Sequence, residues 1–396
     1  MSLVIKNGTA FVNSHFEKKD IKIEGGAITQ VGNGLDAERK IYADHMLVLP
    51  GLIDPHVHLR EPGDTQKEDF RTGTMAAISG GFTTVMDMPN NSLPTVTKER
   101  LEEKRRLAEE KALCDVLFHF GGTDSNFQEV KKADPVSMKL YLGKTTGELM
   151  LDNPSSLERH FQEFPAERPV VVHAAGDSPD PEKNLEQTYE RTEGVVSLAI
   201  QKRRRVHIAH ATTEKEVLLK TRCPKCTVEV TPHHLFLSSR DTEKLGMFSK
   251  VYPPLRPEQK RIYLWKALER VECIATDHAP HTVEDKENGA AGFPGLETSL
   301  SLMLTACSRG LLDKIWVAQR MTEGVARAFN IKNKGKLEKG YAGDVTIVDL
   351  KKEWEVDGSR LYTKCKWSPF EGKKLKGKAH TVIKDGKVVF SDFSFD

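Results

Sequence analysis

The chain has 396 residues, with 59 Lys plus Arg against 57 Asp plus Glu, 38% hydrophobic and 29% charged residues, and six cysteines. So even a mixture excludes disorder, the near balance of charge argues against a nucleic-acid partner, and six scattered cysteines make no disulfide framework, as in a reducing compartment. No apolar run approaches the roughly 20 residues of a membrane span, and Met1 to Asn13 alternates like a strand where a signal peptide would not, so a cytoplasmic globular protein is expected.

Short strands come first: Leu3–Ile5, Ile21–Glu24, Ala27–Val31 after the turn Gly25-Gly26, and Met46–Leu49. From Gly51 to about Ile331, apolar and β-branched runs alternate with helical stretches. The runs are Leu52–Val57, Thr83–Met86, Asp115–Phe120, Val136–Tyr141, Val170–His173, Val206–His210, Thr227–Val230 and Glu272–Thr276. Eight βα units predict an α/β protein built on a (β/α)8 TIM-like barrel. Between them Thr97 reads as the cap of a helix over Lys98–Leu113, and Pro257 to Arg270 reads as another helix. The C-terminus returns to strands, Asp344–Asp349 and a hairpin of Thr381–Lys384 and Lys387–Phe390 turning at Asp385-Gly386. Neither chain end alone has enough strands to bury a face. Residues 1–50 and 335–396 are therefore expected to combine into one small β-sandwich domain, with 51–334 as the barrel.

Metal-binding residue types gather at the ends of these strands. His56 and His58 are two apart on an extended chain and project the same way, so two imidazoles can grip one cation. Alone, such a pair is as often two polar residues leaving a strand for a loop. Its companions change the balance: His173, His210 and Asp277 each end another strand, at the face where barrels carry their chemistry, and Lys139 lies within a fourth. A buried ammonium cannot ligate a metal and is costly unless paired or modified. Lys139 either meets an acid or reacts with carbon dioxide to a carbamate, whose two oxygens could bridge two cations about 3.5–4 Å apart.

The run Gly51 to Gly63 containing His56-Val57-His58-Leu59-Arg60, with Asp87-Met88-Pro89-Asn90, Lys139-Leu140-Tyr141-Leu142 and Thr276-Asp277-His278-Ala279-Pro280-His281, resembles the dihydroorotases of the amidohydrolase superfamily. The likeness spans the whole chain. It implies two zinc ions per chain, one on His56, His58 and Asp277 and the other on His173 and His210, bridged by N6-carboxylated Lys139 and by hydroxide. Glu229 matches a glutamate that some relatives use for an additional metal. The implied reaction is the reversible opening of dihydroorotate to carbamoyl aspartate in pyrimidine biosynthesis, with Asp277 as both ligand and proton shuttle. His58, Arg60, Asn90 and His281 would bind the substrate, Arg60 pairing with its carboxylate, and backbone at Ala291 and Gly292 would face the ring. Gly143–Gly147 matches a loop that closes on substrate, with Thr145-Thr146 where relatives carry Thr-Phe, and Tyr252 replaces a frequent asparagine. Assembly would be as a homo-oligomer or within a pyrimidine-pathway complex. Two alternatives stand beside this: a hydantoinase- or allantoinase-type cyclic amidase, which generally lacks arginine at the position of Arg60, and a non-catalytic scaffold on the same fold. Arg60 read alone would be a surface partner of Glu61 or Asp64. Cys223 and Cys226 are spaced as CxxC without a second pair and read as a solvent-near loop, His233 and His234 as supporting or packing residues, and His207 as pointing away from His210.

Overall fold

A computed structural model describes residues 2–145 and 149–395. All eight anticipated runs of the central segment form strands: Leu52–Val57, Phe82–Asp87, Asp115–Phe118, Met138–Tyr141, Val170–His173, Val206–Ile208, Cys226–Val230 and Cys273–Ile274. Each pairs in parallel with its sequence neighbour, the third resuming at Phe120–Gly121 after a break at His119. The break is stitched by His119 itself, whose backbone N donates to Asp87 O at 3.0 Å while its ring meets Pro55 O at 2.9 Å and Ser137 Oγ at 2.7 Å. An isolated parallel bridge also joins Val57, at the end of the first strand, to His278, four residues beyond the last. Intervening helices cover the outside of these strands, which explains why most are buried at every position and not at alternate ones.

The helices begin where the sequence supplies oxygen acceptors. Thr97 accepts from the Arg100 backbone N at the start of Lys98–Lys111, and Asp180 does the same for Lys183 at the start of Pro181–Gln201. Lys98–Lys111 is almost wholly charged, and it buries only Leu101, Lys104 and Ala108, three and four apart on one stripe. The helix predicted over Pro257 to Arg270 is shorter, Glu258–Lys266, followed by a 3-10 turn.

The chain ends interleave. A six-stranded sheet runs Lys387–Phe390, Lys374–Lys384, Val345–Glu355, Leu47–Pro50, Thr9–Val12, His15–Lys18, so its centre is an antiparallel pairing of C-terminal with N-terminal chain. A four-stranded sheet holds Ala27–Gly32, Asp20–Glu24, Ser2–Lys6 and Arg39–Tyr42. Their facing residues, among them Ile5, Ile21 and Ile23 against Val48, Val345 and Ile347, share one buried cluster. Asp385 and Gly386 both take the left-handed backbone of a two-residue hairpin turn, φ 50° and 75°. The edge strands His15–Lys18 and Arg39–Tyr42 escaped the sequence reading because they are largely exposed and charged, as unpaired sheet edges often are.

Candidate metal centre and active site

His56, His58, Lys139, His173, His210 and Asp277 come from five different strands or the turns after them, and together they line one cavity. His56 Nε2 and His58 Nε2 lie 3.3 and 3.1 Å from Asp277 Oδ1. Ligand atoms around a tetrahedral zinc with bonds of about 2.0–2.1 Å sit about 3.3 Å apart, so this triad has the dimensions of a cation site. Opposite it, His173 Nδ1 faces His210 Nε2 at 2.8 Å. Two imidazole lone pairs aimed at each other repel unless a proton or a cation lies between them.

The surroundings of each ring leave a lone pair toward the cavity. His58 Nδ1 donates to Asn90 Oδ1 at 2.8 Å, and His56 Nδ1 meets Glu229 Oε1 at 2.5 Å, so in both rings Nε2 is the free nitrogen. Burial pushes His58 down to about 4 and His173 to about 3, and holds His210 well below the usual imidazole range, so all three are neutral near pH 7. Lys139 Nζ is fully buried with no hydrogen-bond partner among the described residues. Burial pushes it down to about 8, which leaves a share of neutral amine, the form that adds carbon dioxide. An acid-paired Lys139, the other reading of the sequence, is not what surrounds it. The donor set thus fits cations: oriented imidazoles, a carboxylate, and a buried amine that lacks any other partner.

Arg60 lines the same cavity and is 4% exposed. It makes no ion pair with Glu61 or Asp64; among the described residues Glu61 is held instead by Lys111 and the Phe70 backbone N. Arg60 Nε donates to Pro280 O at 3.1 Å, and Nη2 lies 3.0 Å from His281 Nε2, which itself lies 3.0 Å from Ala291 O. A buried guanidinium aimed into a cavity without a carboxylate partner is a site for an anion. Asn90, Thr145, Tyr252, Ala291 and Gly292 line the cavity with it, and Asn90 Nδ2 donates to Thr145 Oγ1 at 3.1 Å. Thr146 and Gly147 of the anticipated closing loop lie outside the described residues.

Two candidate residues stand apart from the cavity lining. His281 sits behind Arg60, and Glu229 lies beneath the histidines. Both Glu229 oxygens are occupied, Oε1 by His56 Nδ1 and the His210 backbone N at 3.0 Å, Oε2 by His207 Nε2 at 2.9 Å. Burial raises its pKa, but the contacts with His56 and His207 outweigh that and hold the carboxyl well below the usual range. His207 does point away from His210 and reaches Glu229 instead. Asp54 was also not read as a site residue. It accepts from the His56 N at 3.1 Å and the Thr276 N at 3.2 Å, tying the strand that bears His56 to the one that leads into Asp277. Its place two residues before the His-x-His pair was the one available signal. Arg60, His210 and Asp277 all have left-handed backbone, φ 63°, 36° and 47°, and such strain, of order 1–3 kcal/mol each, persists where surrounding structure enforces it. Cys223 and Cys226 are buried, not solvent-near, joined in a turn by Cys226 N to Cys223 O at 2.9 Å at the start of a strand whose other end faces the site. His233 and His234 are buried as well, His234 held by Thr231 and by Pro253 O.

Parallel strands that carry oriented imidazoles and a carboxylate into one cavity define a class of metal-dependent hydrolases, and comparison with known proteins agrees. The amidohydrolase family model matches residues 47–389. The dihydroorotase of Pyrococcus abyssi is 39% identical, covering 99% of this chain and 96% of that one. A segment amounting to 15% of the multifunctional protein CAD of Squalus acanthias is 37% identical over 88% of this chain. Among solved structures, L-hydantoinase (dihydropyrimidinase) from Arthrobacter aurescens superposes with a TM-score of 0.94 at 26% identity, covering 98% of this chain and 96% of that one. The chain belongs to the amidohydrolase family, in its dihydroorotase branch.

Proposed function

We propose that the chain is a cytoplasmic dihydroorotase that interconverts (S)-dihydroorotate and N-carbamoyl-L-aspartate in pyrimidine biosynthesis. The observation that carries this substrate is Arg60, a buried cation in a metal-type cavity without a carboxylate of the protein to pair with. Dihydroorotate brings that carboxylate; hydantoin and allantoin do not. His56, His58 and Asp277 would hold one zinc ion and His173 and His210 the other, with N6-carboxylated Lys139 between them; Glu229 keeps the tautomer of His56 in place of a third metal. When bound, the cations supply Lewis-acid polarisation of the scissile carbonyl and lower the pKa of a water between them. Asp277 takes the proton released as water adds to the ring carbonyl, and returns it to the ring nitrogen as the carbon–nitrogen bond breaks. Cyclisation is the reverse. Arg60 pairs with the substrate carboxylate, Asn90 flanks it, His281 supports Arg60 from behind, and backbone at Ala291 and Gly292 faces the ring.

The pairing of strands supports a (β/α)8 barrel over residues 51–334, with the two facing sheets of residues 1–50 and 335–396 as a small β-sandwich domain. The match to one segment of a multifunctional protein supports work beside other enzymes of the same synthesis. Similarity in fold to a hydantoinase keeps a second reading open to test, and Arg60 separates the two. Arg60→Met should lower kcat/KM for dihydroorotate by roughly 30-fold or more, the cost of breaking a buried charge pair, while metal content measured on the same preparations stays unchanged. A variant with full efficiency would remove Arg60, and the carboxylate it implies, from the account.

A further inference from the structure

Outside the metal centre, one side chain is chemically out of place. Lys286 is fully buried, on the short helix Val283–Glu287, and among the described residues no carboxylate pairs with it. Its ammonium lies 5.4 Å from the ring centroids of both Phe293 and Trp367. Burial pushes it down to about 7. A methionine or leucine would fill an aromatic slot without the cost of a buried charge. What only an ammonium can do is gather several carbonyl oxygens at one point, and Nζ donates to Lys250 O at 2.8 Å, Ala290 O at 2.8 Å and Gly292 O at 3.1 Å.

Those carbonyls belong to two segments far apart in sequence, and both wall the substrate cavity. Lys250 precedes Val251 and Tyr252, and Ala290 and Gly292 bracket Ala291; Val251, Tyr252, Ala291 and Gly292 line the cavity. One backbone hydrogen bond joins the segments directly, Gly292 N to Lys250 O at 3.0 Å. Gly292 sits at φ 146°, where a Cβ would come within 2.4 Å of Ala279 O, so this wall is also pressed against the segment that follows Asp277. From the wall, Ala291 O meets His281 Nε2, and His281 meets Arg60. We infer that Lys286 is a positioning residue for the substrate pocket: by clamping the carbonyls of residues 250, 290 and 292 it sets the backbone wall that the cyclic amide packs against and the seat of His281 behind Arg60. None of the candidate metal ligands hydrogen-bonds to it, so the clamp serves binding of the ring and not the metal centre.

This inference rests on the dihydroorotase reading, and the experiment separates the two. The unmodified protein is first assayed with dihydroorotate; absence of turnover would count against that reading, not against the clamp alone. Lys286→Met removes the charge and all three donors at similar volume, while Lys286→Gln keeps two N–H donors. In Lys286→Met the KM for dihydroorotate should rise about 10-fold or more, with kcat within about threefold of the unmodified protein, as expected when charge-assisted hydrogen bonds that shape a binding wall are lost. Lys286→Gln should fall between the two, and metal content should be equal in all three. A purely packing role would leave KM unmoved by the isosteric Met and give no Met-to-Gln ranking. The inference is overturned by an unchanged KM in folded Lys286→Met, by a fall in kcat accompanied by loss of metal, or by failure of both variants to fold, which would make Lys286 a residue of folding and not of the pocket.

Discussion

A histidine that is to hold a cation must be neutral, and burial keeps His58, His173 and His210 so, while in the His-x-His pair a second contact on the far nitrogen aims each ring. Asn90 does this for His58 and Glu229 for His56. Lys139 is the exception, an amine with no hydrogen-bond partner among the described residues. Conversion to a carbamate would remove the positive charge and supply two oxygens to the cavity that both histidine groups line. Lys139→Ala should therefore lose about one of two zinc-like ions per chain by elemental analysis and most of the activity with it. Retention of both ions would show that Lys139 bridges nothing. The HxH pair, Lys139, His173, His210 and Asp277 were all legible in the sequence because each ends or occupies an apolar strand, where a polar side chain needs a reason. The partnership of Glu229 with His207 and His56 was not, since it depends on which groups meet 22 and 173 residues apart in the chain.

At the scale of elements, helix Lys98–Lys111 illustrates how an exposed, highly charged segment still governs the site. Its one buried charge, Lys104, forms a fully buried ion pair with Asp87 at 2.6 Å and donates to Met88 O and Asn91 Oδ1. That fixes the turn that presents Asn90. Charge pattern and cap announced the helix in the sequence, but nothing marked Lys104 among its many lysines and arginines, because only the fold decides which one faces inward. The cap should matter in proportion to a single hydrogen bond. Thr97→Ala should lower stability by about 1 kcal/mol in chemical denaturation, leaving metal content intact. A loss several times larger would mean that Thr97 does more than accept from the Arg100 backbone. The walls at 250–252 and 290–292 belong to the same lesson. They are loops, with no periodicity to read, and only Ala291 and Gly292 were anticipated, through family likeness.

Across the whole molecule, the parallel strands act as a frame that brings the candidate ligands together from five of the eight strands, while the joined chain ends build a separate pair of sheets. The eight central strands were legible as compact apolar or β-branched runs, a pattern that burial on both faces favours. The interleaving of N- and C-terminal strands was legible only as a need, since each end had too few strands to cover itself, and the edge strands were hidden by their exposure. The fold is shared with a hydantoinase, as the superposition shows. The choice of substrate turns on Arg60, a buried cation at the cavity wall without a carboxylate partner among the described residues. The most direct test is to measure kcat/KM of the unmodified, metal-loaded protein on dihydroorotate, hydantoin and allantoin side by side, with cyclisation of carbamoyl aspartate as the reverse assay. Turnover of dihydroorotate in both directions, well above either neutral ring, is the predicted result. Faster opening of hydantoin or allantoin would contradict it and assign the site to a different cyclic amide.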